Sequence, residues 1–341
     1  MMIEDPFVVD IHTHILPPKF PKFSKEFGYG SFLAVEPRVD SNYNLNRGNR
    51  HFKTIAPNLF DAPTRINEGK ERGINFEVLS TIPQAFCYWA KPEDGLEIAR
   101  FLNDNLAEYV NDYPERFLGL GTLPLQDPEL ALEELDRIIK ELELAGVILG
   151  SHVETKSLNH PDFHQIFERI EQLGAAVFIH PTNTPFEESQ NKGIIEQIIG
   201  VPEEIARTIL SLSLGGIFEK FPKLRVAFSH GGGSFSLIID WIDHVLKGRP
   251  DLQNLVGIES PRKYIGHFWV DSLAISQRNL EFLTSTFGED RICLGTDYPF
   301  PSGDIDAGSI IDNSSYPDHV KRKLLGKNAF DWLNLNPSKL T

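Results

Sequence analysis

Val8-Val9-Asp10-Ile11-His12-Thr13-His14-Ile15-Leu16-Pro17-Pro18 is the stretch on which the fold turns. Val8 to Ile11 is dominated by β-branched apolar residues, and the paired prolines stop whatever precedes them. The segment reads as a buried strand ending in two histidines. Side chains two apart on a strand point to the same face, so His12 and His14 project to one side. Two neutral imidazoles converging at a strand end can chelate Zn²⁺ or a similar cation. They can equally be two polar residues closing a strand into a loop, and His-x-His alone does not choose between these readings.

Helix and strand signals alternate through the rest of the chain. Residues 17–60 come first, a segment rich in Pro, Gly, Asn, Phe and Tyr that includes Phe27-Gly28-Tyr29-Gly30-Ser31-Phe32 and Arg47-Gly48-Asn49-Arg50-His51-Phe52-Lys53. A loop that long in a compact domain usually has a function or structure of its own. It reads as an insertion covering one face of the site, with room for a short hairpin. From Ala62 the order becomes regular. A helix over 62–72 passes through Gly73 into a strand at 76–81, and a helix over 92–112 leads to a strand at 116–123. Asp127-Pro128 caps a helix whose Leu132, Leu135, Ile138, Ile139 and Leu142 recur at helical spacing, with Gly146 closing it. Further strands are expected at 147–152, 175–180, 224–230, 267–271 and 291–297, with helices over 161–173, 193–219, 234–247, 275–287 and 318–333 and an irregular stretch at 181–190. Eight strands, each followed by a helix, are the arithmetic of an α/β fold, the (β/α)₈ TIM barrel, as a single domain over residues 1–341. An open doubly wound sheet fits less well. No Gly-x-Gly-x-x-Gly turn follows the first strand, and no composition break marks a second domain.

The 341 residues carry 33 basic and 48 acidic side chains, a net charge of -15, and are 41% hydrophobic and 24% charged, the balance of a soluble globular protein. So acidic a chain argues against nucleic acid or an anionic membrane surface as a partner. Cys87 and Cys293 are the only cysteines and lie among apolar residues, which reads as reduced thiols in a cytoplasmic protein. The chain does not open on a basic region followed by an apolar run, and it holds no stretch of transmembrane length.

In a barrel the C-terminal strand ends form one face, and enzymes on this fold place their chemistry there. Strand one ends in His12 and His14, strand five in His180, strand six in His230 and strand eight in Asp297. Any one of these alone is more simply a capping or hydrogen-bonded core residue; five on one rim are not.

Those positions follow the pattern of the amidohydrolase superfamily. Longer segments narrow the resemblance: residues 12–18 and 27–30, Tyr88-Trp89-Ala90-Lys91-Pro92-Glu93-Asp94, 119–124, 216–224, Ser229-His230-Gly231-Gly232-Gly233 and Leu294-Gly295-Thr296-Asp297-Tyr298-Pro299-Phe300-Pro301. Over nearly the whole chain these resemble the α-amino-β-carboxymuconate-ε-semialdehyde decarboxylases. The resemblance implies one Zn²⁺ per chain held by His12, His14, His180 and Asp297, with His230 as general base and Asp297 doubling as proton carrier. Binuclear relatives carry a bridging Lys or Glu on strand four. Here that strand ends Gly150-Ser151-His152, which favours one metal and leaves His152 a supporting or capping role. The implied reaction is non-oxidative decarboxylation of an unsaturated or aromatic carboxylic acid, in which a zinc-bound hydroxide adds to the substrate, His230 shuttles the proton and the C–CO₂ bond breaks. Gly231 to Gly233 would let the backbone approach closely and leave room for that substrate. A homodimer is implied too.

The chain departs from the family at two positions. Family members hold their substrate's two carboxylates with two arginines, one from each subunit. The first follows a phenylalanine in the insertion; here Lys53 follows Phe52, which keeps the charge but loses the bidentate fork. The second lies eleven residues beyond the strand-six histidine, where this chain has Trp241. Arg47, Arg50 and Arg249 are the other candidate cations. The expected substrate-binding set is therefore Arg50, Phe52, Lys53, Trp89, Trp241 and Phe300, with Phe32 and Tyr88 as further aromatic neighbours. The alternative function is a metal-dependent hydrolase of an amide, lactone or ester on the same scaffold. A barrel retained only for binding is disfavoured by five intact positions.

Overall fold

The computed structural model describes residues 7–48, 50–182, 195–304 and 306–336. Its first strands in chain order are β1 (Val9–His14), β2 (Leu33–Pro37), β3 (Tyr43–Arg47), β4 (Arg50–Ile55), β5 (Phe76–Ser80), β6 (Phe117–Thr122) and β7 (Gly146–Gly150). The two-residue strands β8 (His152–Val153) and β9 (Lys156–Ser157) follow, then β10 (Ala176–His180), β11 (Arg225–Phe228), β12 (Phe268–Asp271) and β13 (Ile292–Cys293). Eight of these form one parallel sheet in the order β1-β5-β6-β7-β10-β11-β12-β13. Hydrogen bonds from Ile11 N to Leu294 O (2.9 Å) and from Asp297 N to His12 O (2.9 Å) join its two edges, which makes it the expected (β/α)₈ barrel. Strands covered on both faces read as unbroken apolar runs, and Val226, Ala227 and Phe228 of β11 are indeed wholly buried.

The helix signals hold where a cap is written into the sequence. Asp61 accepts from Thr64 N (2.9 Å) at the head of Ala62–Glu71, and Asp127 accepts from Glu129 N (3.0 Å) and Leu130 N (3.1 Å) at the head of Pro128–Lys140. Three expectations are corrected. Gly146 does not close the helix: that helix ends at Lys140, and Gly146 opens β7, where a Cβ would lie 2.1 Å from the Ala176 carbonyl oxygen. The last barrel strand is only Ile292–Cys293, so Asp297 sits in the turn beyond it. The helix expected over 193–219 runs through Glu196–Gly200 and Val201–Leu214 and is then broken by Gly215 and Gly216 before Ile217–Lys220, its first two residues lying outside the described ones. Most of the expected irregular stretch at 181–190 also lies outside them.

The segment between β1 and β5 holds more than a hairpin. β2, β3 and β4 form a three-stranded antiparallel sheet. Its buried Leu33, Leu45 and Ile55 join Phe23 and Phe32 in an apolar cluster with Leu16 and Ile82, residues just past the C-terminal ends of β1 and β5. That fixes the sheet to the rim carrying the histidines. Among the described residues no helix is long and apolar enough to cross a membrane.

Candidate metal centre and active site

β1 delivers His12 and His14 as its alternation requires, both fully buried. Beneath them the fully buried Arg65 donates to the His14 carbonyl (2.6 Å) and to Glu77 Oε2 (2.5 Å), tying the strand end to the helix Ala62–Glu71. β10 ends in His180. Asp297 reaches the same point from the turn after β13, with its backbone at φ 61°, a left-handed conformation that aspartate tolerates better than most residues. Gly295 permits this approach, since a Cβ there would lie 2.6 Å from Asp271 Cβ and 2.9 Å from His12 Cβ. Asp10 holds the turn from below, accepting from Thr296 Oγ1 (2.5 Å) and Thr296 N (3.1 Å).

One donor atom from each of His12, His14, His180 and Asp297 lies within 4.8 Å of the others. The three imidazoles are oriented from behind. His12 Nδ1 lies 2.7 Å from Asp271 Oδ2, His14 Nδ1 3.1 Å from Thr81 O and His180 Nδ1 2.9 Å from Pro181 O. Each Nδ1 therefore has an acceptor, which puts the Nε2 lone pair on the inward side. Nε2 of His12 and Nε2 of His14 are buried without a hydrogen-bond partner, 3.3 and 3.2 Å from Asp297 Oδ1. Burial opposes the charge of Asp297, yet the neighbouring imidazoles hold its carboxyl well below the usual range. Burial likewise opposes protonation of His12, but Asp297 and Asp271 together push its pKa up. An ionised carboxylate facing inward lone pairs in a buried site draws positive charge. This donor set, three nitrogens and one oxygen, fits a zinc-like divalent cation.

His230 completes the rim. Its ring lies 5.1 Å from that of His12 and 5.0 Å from that of His180. Burial and the adjacent His12 push its pKa down to about 4, so at neutral pH it is a proton acceptor. Its φ of 54° is held by two hydrogen bonds to Asp271, from His230 N (2.8 Å) and Gly231 N (2.6 Å). The glycines that follow make this turn. A Cβ at Gly233 would lie 2.1 Å from Pro202 O, so the space expected for substrate at Gly233 is taken by protein.

Asp271 is the site residue that sequence reasoning passed over. One carboxylate orients His12 and fixes the His230 turn. The available signal was its place as the last residue of β12, on the same rim. Outer partners of ligating histidines typically contribute about 10- to 100-fold in metal affinity. Asp271→Asn is therefore expected to lower zinc affinity by about tenfold or more, read by competition with a chromogenic chelator, while unchanged affinity would remove Asp271 from this role.

The structure separates the expected substrate-binding residues. Lys53 is half-buried with Nζ 4.1 Å above the Phe300 ring, and Phe300 lies 5.5 Å from the His14 ring, so these two reach the centre. Burial pushes the Lys53 pKa down while the charge of Asp297 pulls the other way. Arg50 and Phe52 are exposed on β4. Trp89 packs on Phe32 at 4.6 Å and borders a cavity of about 580 Å³ that Arg47, Tyr88, His152 and Thr182 also line. Trp241, on the helix Phe235–Gly248, is 66% exposed and stacks on His244, and nothing in one chain brings it to the site. Arg249 caps that helix and pairs with Asp251 at 2.7 Å.

Fold and site together define a metal-dependent enzyme of the amidohydrolase type. The amidohydrolase family profile matches residues 9–335, and the chain belongs to that family. It is 41% identical to the 2-amino-3-carboxymuconate-6-semialdehyde decarboxylase of Dictyostelium discoideum, covering 97% of this chain and 92% of that protein. Identity to the protein of the same name from Caenorhabditis elegans is 31%, covering 97% and 95%. Among solved structures, Metarhizium anisopliae IDCase superposes with a TM-score of 0.84 at 21% identity, each chain covered to 98%. A dihydroxybenzoic acid decarboxylase from Polaromonas, solved with bound manganese, gives 0.76 at 23% identity, covering 98% of this chain and 99% of that one.

Proposed function

We propose that this protein is a zinc-dependent, non-oxidative decarboxylase of an unsaturated or aromatic carboxylic acid, like 2-amino-3-carboxymuconate-6-semialdehyde decarboxylase. One observation carries the reading. The residues that converge at the rim are the set the family resemblance names, in a chain 41% identical to such an enzyme over 97% of its length. His12, His14, His180 and Asp297 would hold the cation, which when bound supplies Lewis acidity and makes water acidic enough to react near neutral pH. Three imidazoles favour zinc over manganese, which prefers oxygen ligands. His230 Nε2, buried and without a partner, takes a proton and returns it to the carbon that loses its carboxyl group. Lys53 binds an acidic group of the substrate beside Phe300, and the β2–β4 sheet, fixed to the same rim by its apolar cluster, covers one face of the site.

The decisive assay is CO₂ release from 2-amino-3-carboxymuconate 6-semialdehyde by zinc-loaded protein, beside a set of hydroxybenzoates. Release from the muconate semialdehyde supports the reading in full, and release from a hydroxybenzoate alone moves the substrate to an aromatic acid. No CO₂ from either, with turnover of an ester or lactone, would overturn it in favour of a hydrolase.

The working unit is a homodimer, and the helix Phe235–Gly248 supports this: Leu237 is 69% and Trp241 66% exposed on it, with Ile238 beside them. So apolar a face is typical of an interface. The dimer would carry Trp241 to the partner's site, where the family has its second arginine. Trp241→Glu is expected to shift the protein to the monomer position in gel filtration; an unshifted dimer places the interface elsewhere.

A further inference from the structure

A second polar cluster lies beside the centre, at the tips of β7 and β10. Glu204, in the first turn of Val201–Leu214, is 4% exposed and accepts at one oxygen, Oε1, from Thr182 N (2.5 Å), Thr182 Oγ1 (3.0 Å) and Ser151 Oγ. These hydrogen bonds and His152 outweigh the cost of burial and hold the Glu204 pKa down at about 2, so the carboxylate only accepts. Both hydroxyls are in position to donate to Glu204, and they lie 3.2 Å from each other. His152 Nδ1 lies 3.1 Å from Ser151 Oγ and 3.0 Å from Thr182 Oγ1. Nδ1 also lies 3.4 Å from Glu204 Oε1, and an ionised carboxylate can only accept, so Nδ1 carries the hydrogen. That fixes the tautomer of the neutral ring: Nε2 presents a lone pair. Among the described residues Nε2 has one long approach, 3.5 Å to Thr182 Oγ1, and the His152 side chain lines the cavity of about 580 Å³ together with Arg47 and Tyr88.

We propose that His152 is a substrate-binding residue that accepts a hydrogen bond at Nε2 from an O–H or N–H group of the acid, and that Glu204 is the positioning residue that fixes its ring. Thr182 follows His180 by two residues, so His152 borders the cavity one strand end away from the centre. The inference rests on the decarboxylase reading and deepens it, naming the residue that pairs with a donor group on the acid. A site built to pair a donor rejects the analogue that lacks it more strongly than an apolar pocket rejects a change of shape.

The test is binding rather than turnover. The 2-, 3- and 4-hydroxybenzoates and the matching fluorobenzoates, similar in size but without the donor, are titrated calorimetrically into zinc-loaded protein at pH 8. At least one hydroxybenzoate is expected to bind about tenfold tighter than its fluoro counterpart, the scale of one well-made hydrogen bond. His152→Ala should abolish that preference with little change in Tm, and His152→Gln, whose amide oxygen accepts, should restore part of it. Absence of any preference in the wild type overturns the proposal, as does a preference that survives in His152→Ala. Neither result touches CO₂ release, so failure here and failure of the decarboxylase reading are told apart.

Discussion

His230→Ala is expected to lower CO₂ release by about 10²- to 10⁴-fold, the span that a positioned acid–base group contributes, while one zinc per chain is retained. The reason is positional. The His230 ring lies 5.1 Å from that of His12 and 5.0 Å from that of His180, but it follows β11, and Asp271, which also orients His12, holds it through the backbone N–H, a contact that survives loss of the ring. Deleting the ring leaves the four converging donors untouched. Nε2 of His230 is buried and unpartnered, so its loss removes a group whose only evident use is a proton. Metal analysis on the sample used for the rate decides the assignment, because zinc lost together with activity would make His230 a ligand rather than the proton carrier.

Asp297→Ala should be more severe. It removes the one carboxylate that, among the described residues, faces the three inward nitrogens, and the charge that holds a dication there falls by one unit in a buried site. The variant is expected to lose zinc on dialysis and to release CO₂ no faster than the uncatalysed reaction. Asp297 N also closes the barrel seam to His12 O, but through the backbone, so the seam survives the substitution, and Tm should fall only by the strain of alanine at φ 61° relative to metal-free wild type. Retained zinc with residual activity would contradict the ligand set.

Much of the centre was legible because strand periodicity is local. His12 and His14 had to share a face once β1 was recognised, and His180 was fixed as the last residue of an apolar run. Asp297 was found for a different reason than expected. Its strand is two residues long, and what places the carboxylate is a tight turn at φ 61°, packed over Gly295 and anchored to Asp10. Asp271 escaped because a lone acid at a strand end carries no spacing signal; its role exists only through contact with His12, 259 residues away. The β2–β4 sheet was hidden for a related reason. Arg50 to Lys53 breaks the apolar alternation, since β4 buries only Ile55 and leaves Arg50, His51 and Phe52 exposed. Gly146 looked like a helix stop, whereas its job is to let β7 approach Ala176.

The measurement that tests the central claim most directly is a titration of metal-free protein with zinc, following bound metal and CO₂ release from the same samples. Both should rise together and level off at one zinc per chain. Full activity without metal, or a plateau at two, would contradict a single cation held by His12, His14, His180 and Asp297.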